Sequence, residues 1–142
     1  MFSKNIIIIV LFMALILILA IIPVHEIKSE VKHNLGFLSS IRSLLERTFN
    51  IEISWSKVQD FLHIPFFAVL SILWMKFFRK KKVDLVRAIG YALAMTAIFS
   101  ILEESCQFFI ARDASVKDLI SNLIGSLLGI GAYVCTVEKA VT

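Results

Sequence analysis

Four long apolar stretches, separated by shorter polar segments, dominate the pattern of the chain. They cover residues 5–22, 57–78, 85–110 and 115–137. An α-helix needs roughly 20 residues to cross the hydrocarbon core of a bilayer; the first stretch approaches this length and the other three exceed it. The pattern predicts an all-α fold, an integral membrane bundle of four transmembrane helices in a single membrane domain over residues 1–142.

The first apolar stretch has two interpretations, a spanning helix or a signal peptide. It follows a single cation, Lys4, and ends at Pro23. No pair of small residues suited to a cleavage site precedes the polar segment. We therefore expect an uncleaved first transmembrane helix.

The extracytoplasmic segment 24–56 carries a helical pattern of its own. Within residues 35–49, apolar side chains recur every three or four positions, at Leu35, Leu38, Ile41, Leu45 and Phe49. This spacing predicts an amphipathic surface helix between the first and second transmembrane helices.

Composition supports a membrane protein. Hydrophobic residues make up 58% of the chain and its mean hydropathy is +0.86, which is too apolar for one small soluble core. The net charge of +4 would also suit nucleic acid, but the basic residues lie beside apolar stretches, where lipid headgroups would meet them. We expect lipid partners and no nucleic acid.

The densest positive cluster lies in the loop 79–84, between the second and third helices. Short loops rich in lysine and arginine stay in the cytoplasm. The basic residues on the two sides are nearly equal in number, so the density of this cluster decides the orientation. We predict a multi-pass protein with the loop and both termini in the cytoplasm and residues 24–56 outside.

Polar side chains gather where three of the predicted helices meet the outer side. Ionisable groups in membrane segments are costly and mark candidate functional sites. The second helix begins with Asp60 and His63, and the third ends with Glu104 and Gln107. The junction and the start of the fourth helix add Arg112, Asp118 and Asn122. We expect these residues to share one polar pocket in the outer leaflet.

His63 and Glu104 are the candidate catalytic residues, as a pair that exchanges protons. The structural alternatives are an interfacial histidine held by hydrogen bonds and a buried acid neutralised by a basic partner. Glu103 points about 100° away from Glu104 on a helix, so we expect it to face the headgroup region.

The other polar residues are candidates for substrate binding: Asp60, Gln107, Arg112, Asp118 and Asn122. Arg112 would hold an anionic group or anchor the chain at the interface. Asp118 has a structural alternative as part of a capping box with Ser115, and Asn122 as an interhelical hydrogen bond. No ligand spacing demands a metal, and we expect no metal or cofactor.

Gly125 and Gly129 form a GxxxG pattern in the fourth helix. Such a face lets a neighbouring helix approach closely, so these glycines are predicted to serve helix packing. The free cysteines Cys106 and Cys135 lack the spacing of a metal or redox pair.

A longer pattern covers about residues 60–133: Asp60-x-x-His63, then Glu104-x-x-Gln107-x4-Arg112-x-x-Ser115-x-x-Asp118-x3-Asn122-x-x-Gly125-x3-Gly129. It resembles the VanZ-like family. The chain departs from the family at Phe67, where an aromatic hydroxyl is common, and at Ala111, where glycine often precedes the arginine. The resemblance implies an integral protein of the bacterial cytoplasmic membrane, in a family whose founding member gives low-level resistance to the glycopeptide teicoplanin.

Three functions stay open. The first is an envelope factor that binds a lipid-linked wall precursor or a lipid headgroup and lowers glycopeptide access. The second is a membrane-embedded transferase or hydrolase that acts on such a lipid by acid-base chemistry. The third is a small lipid or proton-coupled transporter, which the scarcity of charges at the helix centres disfavours.

Overall fold

The part of the chain that the computed structural model describes is helical apart from the turn at residues 81–84. That part comprises residues 4–21, 40, 43–44, 47–48, 55–109 and 116–139, with the backbone alone for 21, 55–60 and 138–139. The long helices are α1 (Lys4–Ile21), α2 (Trp55–Lys80), α3 (Leu85–Phe109) and α4 (Val116–Lys139). The described ranges contain no strand, and the all-α prediction is confirmed.

Three of these helices are long and apolar enough to cross a membrane. The qualifying segments are Phe61–Lys80, Leu85–Phe109 and Val116–Val137. The first helix is also apolar but shorter, at 18 residues.

The predicted surface helix at 35–49 is described at a few positions only. Ser40, Ser43, Leu44, Arg47 and Thr48 are helical and exposed. Two hydroxyls donate to carbonyl oxygens one turn earlier, Ser43 Oγ to Ser40 at 2.9 Å and Thr48 Oγ1 to Leu44 at 2.8 Å. The five apolar residues of the predicted hydrophobic face lie outside the described residues.

Helices α2 and α3 each pack against the three other long helices, and the most extensive contact is the one between α2 and α4. The buried core is apolar and aromatic where the helices cross: Ile9, Ile16, Phe67, Leu70, Trp74, Met75, Ala88, Ala92, Phe99 and Ile130. The surface outside this core carries many exposed aliphatic side chains, as expected of helices that are surrounded by lipid.

The turn between α2 and α3 is a tight C-terminal cap followed by an N-terminal cap. The amide of Val83 donates to the Phe78 carbonyl at 3.2 Å, and that of Lys82 to Arg79 at 3.0 Å. These two bonds and the positive φ of 61° at Lys82 define a Schellman motif, in which lysine occupies the usual glycine position. Asp84 then accepts from the backbone amide of Arg87 at 3.0 Å and caps α3.

Helices α2 and α4 approach each other closely along the two glycines of the GxxxG pattern. A Cβ atom added at Gly125 would fall on the carbonyl oxygen of Ile64, and one at Gly129 on that of Ala68. Only a residue without a side chain fits either position. This contact places His63, the neighbour of Ile64, within reach of Asn122, one turn before Gly125.

Candidate functional site

A continuous polar layer crosses the bundle where α2, α3 and α4 meet. His63 Nδ1 lies 2.9 Å from Asn122 Oδ1, and Asn122 Nδ2 donates to Ser100 Oγ at 2.8 Å and to Glu103 Oε2 at 3.4 Å. All four side chains are buried. One amide on α4 therefore joins a histidine on α2 to a hydroxyl and a carboxylate on α3.

The orientation of the Asn122 amide determines the tautomer of His63. Nδ2 is the donor of the amide and faces two oxygen atoms, so Oδ1 is left to face His63. The hydrogen-bonded imidazole therefore carries a proton on Nδ1. In the neutral ring, this leaves Nε2 as the acceptor, which is the atom that can take up a proton.

Glu103 provides the carboxylate beside the imidazole. Its Oε1 lies 3.7 Å from His63 Nδ1, and the side chain is 1% exposed. The expectation that Glu103 faces the headgroup region is therefore wrong. A buried carboxylate is costly in a membrane helix, and the imidazole and the amide beside Glu103 offset this cost.

Spacing along α3 explains how Glu103 reaches the layer. The buried positions of this helix lie on one face and recur every three or four residues, with two adjacent pairs among them: Ala88, Ala92, Thr96, Phe99, Ser100, Glu103, Glu104 and Gln107. The same face is apolar in its first half and polar from Ser100 onward. Thr96, Ser100, Glu103 and Gln107 are separated by four, three and four residues, which places them on one face of a helix. This spacing could have identified Glu103 as a buried residue, but from the sequence Glu103 was compared only with Glu104.

Two aromatic rings follow the polar layer, one stacked on His63 and the second packed on the first. The ring of Phe67 stacks on His63 with centroids 6.5 Å apart and an angle of 17° between the planes. Phe99 packs on Phe67 at 5.9 Å. Both phenylalanines are buried, so they separate the layer from the rest of the core toward the basic turn.

The structure describes the other predicted site residues to different extents. Glu104, Gln107 and Asp118 are buried at the same end of the bundle, since they lie in the last turns of α3 and the first turn of α4. Asp60 lies one turn before His63 in α2, with its backbone alone described. Arg112 and the capping partner Ser115 lie outside the described residues.

Gln107 is fully buried at 1% exposure, and neither Nε2 nor Oε1 has a hydrogen-bond partner among the described residues. Within that part of the chain, no three histidine, cysteine, aspartate or glutamate side chains lie close enough together to hold a metal ion. The polar layer presents hydrogen-bond donors and acceptors, and an imidazole ring that the Asn122 amide holds in place.

These features define the class of protein, an all-helical membrane protein with a buried polar site near one end of its bundle. The chain belongs to the VanZ/LLP1 family, whose model matches residues 5–137. The family resemblance noted in the sequence is thus confirmed, and the match includes α1 and the segment after it, which carried no motif. No curated protein and no solved structure matches the chain.

Proposed function

We propose that this protein binds the headgroup of a membrane lipid, or of a lipid-linked wall precursor, at the polar layer around His63, Glu103 and Asn122. Binding there would lower the access of glycopeptides such as teicoplanin to the cell envelope. The observation that carries the proposal is the convergence of buried polar groups from three helices, next to an amide at Gln107 that has no hydrogen-bond partner among the described residues.

Energetics favour a binding site over packing alone. A buried polar group without a partner costs about 1–3 kcal/mol, so a bundle stabilised only for packing would gain from an apolar side chain at position 107. Polar layers that serve a ligand keep such groups because the ligand provides the missing hydrogen bonds.

The Phe67 and Phe99 rings cover the polar layer on the side toward the basic turn, which supports a site that is reached from the opposite end of the bundle. Beyond the Phe67 and Phe99 rings, the buried hydroxyls of Ser71 and Thr96 donate to carbonyls of their own helices, at 2.9 Å and 3.0 Å. These hydroxyls bond within their own helices, so they do not form a continuous polar route through the bundle. A transporter needs such a route, and we therefore place it last.

The basic turn supports an outer position for the site. The exposed cations Arg79, Lys80, Lys81, Lys82 and Arg87 cluster at one end of α2 and α3. His63 precedes Lys80 by 17 residues in one continuous helix, a rise of about 25 Å, so the polar layer lies toward the opposite end of the bundle. Retention of the turn in the cytoplasm would place the site in the outer leaflet of the bacterial cytoplasmic membrane, with both termini inside.

One observation favours a catalytic alternative, a transferase or hydrolase that acts on the same kind of lipid. His63 is held through Nδ1 by Asn122, with Glu103 at 3.7 Å, which is how a carboxylate and an amide orient a general base. Nε2 would then take a proton from an attacking hydroxyl or water.

The test is expression of the full chain in a glycopeptide-susceptible bacterial host. We expect a higher inhibitory concentration of teicoplanin and less drug bound per cell than with an empty vector. His63→Leu should abolish both effects at equal membrane abundance, whereas the control Phe61→Leu, at an exposed position of α2, should keep them.

Mass spectrometry of the membrane lipids and wall precursors separates the two mechanisms. A binder leaves the set of lipid species unchanged, while an enzyme creates or removes a species in a manner that depends on His63. Unchanged teicoplanin susceptibility and binding on expression would reject the resistance role.

A further inference from the structure

The side-chain amide of Gln107 lacks hydrogen-bond partners within the described part of the site. Gln107 lies on the buried face of α3, one turn beyond Glu103 toward the end of the helix, and is 1% exposed. Neither its Oε1 nor its Nε2 has a partner among the described residues. A buried amide in this state costs free energy, which a ligand that offers both a donor and an acceptor would recover.

The charged side chains at this end of α3 and α4 already interact within the chain. They are the carboxyl groups of Glu103, Glu104 and Asp118 and the ammonium group of Lys117. A charged ligand group would compete with these interactions, and it would also lose its hydration on entering the buried layer, which is costly. A neutral group avoids both costs, so the charges of this end favour a neutral partner for Gln107.

The shape of the amide specifies the neutral group further. Oε1 and Nε2 project side by side from one planar group, so their partners have to lie side by side as well. A single hydroxyl cannot align with both atoms, because hydrogen bonds weaken steeply when their angle falls below about 120°. Two hydroxyl groups on neighbouring carbon atoms can align, one donating to Oε1 and the other accepting from Nε2.

We propose that Gln107 binds a vicinal diol, which is a neutral pair of hydroxyl groups on neighbouring carbon atoms, in the headgroup of the lipid. This inference rests on the proposed function and specifies its ligand. Two sources provide such a diol, the terminal glycerol of phosphatidylglycerol and the sugar ring of a glycolipid or of a lipid-linked wall precursor. Both belong to the classes of ligand proposed for the polar layer.

Phosphatidylglycerol and phosphatidylpropanol separate the diol from the charge of the headgroup. Both lipids carry the same phosphate and the same number of headgroup carbons, but phosphatidylpropanol has no headgroup hydroxyl. Native mass spectrometry of the purified full chain, titrated with each lipid, should show about tenfold tighter binding of phosphatidylglycerol, as expected of a pair of buried hydrogen bonds.

A second pair of probes tests the sugar as the source of the diol. Monoglucosyl diacylglycerol is compared with the same lipid O-methylated at its sugar hydroxyls, which keeps the ring and its acceptor oxygens but removes the donors. If a sugar is the ligand, methylation should weaken binding about tenfold, and the glucolipid should bind more tightly than phosphatidylglycerol. A hydroxyl preference in either pair supports the inference.

Gln107→Leu tests the residue that carries the argument. The variant should bind the lipids with and without hydroxyl groups equally. Without added lipid it should unfold no more easily than the wild type, because leucine removes two buried polar atoms at similar volume. The matched control is Phe108→Leu, at the exposed neighbouring position of α3, which should keep the hydroxyl preference.

The outcomes separate this inference from the proposed function. Equal binding within both pairs of lipids, abolished by His63→Leu, overturns the diol and leaves headgroup binding in place. A hydroxyl preference that Gln107→Leu leaves intact overturns the assigned contact, and so does a loss of stability in the lipid-free variant, which would show that the amide serves packing. Binding that neither His63→Leu nor Gln107→Leu reduces overturns both proposals.

Discussion

The Nδ1 atom of His63 lies 2.9 Å from the Oδ1 atom of Asn122, although 59 residues separate the two in the chain. The same amide donates to Ser100 and Glu103, so a single side chain connects α2, α3 and α4. This connection explains why an amide is present in a membrane helix. It also fixes the position of the imidazole, which both proposed mechanisms require.

Replacement of Asn122 by leucine should destabilise the bundle by about 1–3 kcal/mol, because it leaves the buried partners of the amide without their hydrogen bonds. The free energy of unfolding in mixed micelles is the measurement. Ser126→Ala is the control, since the Ser126 hydroxyl donates at 2.8 Å to the Asn122 carbonyl in its own helix. The control should change the free energy by less than about 0.5 kcal/mol, and an equal loss in both variants would contradict the interhelical role.

Glu103→Gln should abolish any resistance or lipid phenotype while the protein keeps its membrane abundance. Glutamine keeps the size of the side chain but removes the negative charge 3.7 Å from His63 Nδ1. The measurements are teicoplanin susceptibility and the amount of protein in isolated membranes. From the sequence Glu103 was expected to face the headgroup region, where this substitution would be mild, and the burial of Glu103 reverses that expectation.

Two comparisons complete the Glu103 experiment. Glu104→Gln should also abolish the phenotype, since Glu104 is buried on the same face of α3. Ser105→Ala should be silent, because the exposed Ser105 hydroxyl donates at 2.7 Å to Ile101 in its own helix. A wild-type phenotype for Glu103→Gln would remove the carboxylate from the mechanism.

The helices were predictable because lipid solvent demands long apolar stretches, which are visible without knowledge of packing. The helix expected at 57–78 is observed as Trp55–Lys80, and that expected at 85–110 as Leu85–Phe109. Which glutamate lies beside His63 was harder to predict. Successive residues on a helix differ by about 100°, so the assignment depends on the rotation of α3 against α2, which packing sets.

The close approach of α2 and α4 could be predicted in part from the sequence. The glycines Gly125 and Gly129 indicated that some helix would pack there, but the sequence did not say which. The partner is α2, through the carbonyls of Ile64 and Ala68. That contact determines the site, because it sets His63 against Asn122.

Gly125→Ala and Gly129→Ala should each destabilise the bundle by roughly 1–3 kcal/mol or more, because the new methyl group meets backbone that cannot move aside. Gly131→Ala is the matched control on the same helix, since a Cβ there meets nothing within 4 Å. Alanine has the higher helix propensity, so the control should be neutral or slightly stabilising. Thermal stability in detergent is the readout, and wild-type stability for Gly125→Ala would contradict the close contact.

Lys82→Gly should stabilise the protein by about 1 kcal/mol. The φ of 61° at Lys82 is costly for lysine and free for glycine, which is the usual residue at this position of a Schellman motif. Lys81→Gly removes the same charge from the preceding residue, where no positive φ occurs, and should be neutral or destabilising. Chemical unfolding of both variants measures the difference, and a loss of stability in Lys82→Gly would show that the lysine side chain itself holds the turn.

The orientation of the bundle can be tested by cysteine labelling at one position on each side. Cys106 and Cys135 are free, and Cys135 is exposed, so both are first replaced by serine. In that background, an impermeant maleimide applied to intact cells should label Ser39→Cys and leave Lys81→Cys unlabelled, because short loops rich in lysine and arginine tend to stay in the cytoplasm. After permeabilisation both positions should react, which shows that each thiol is accessible. Labelling of position 81 but not of 39 on intact cells would reverse the orientation and place the His63 layer in the inner leaflet, away from the glycopeptide.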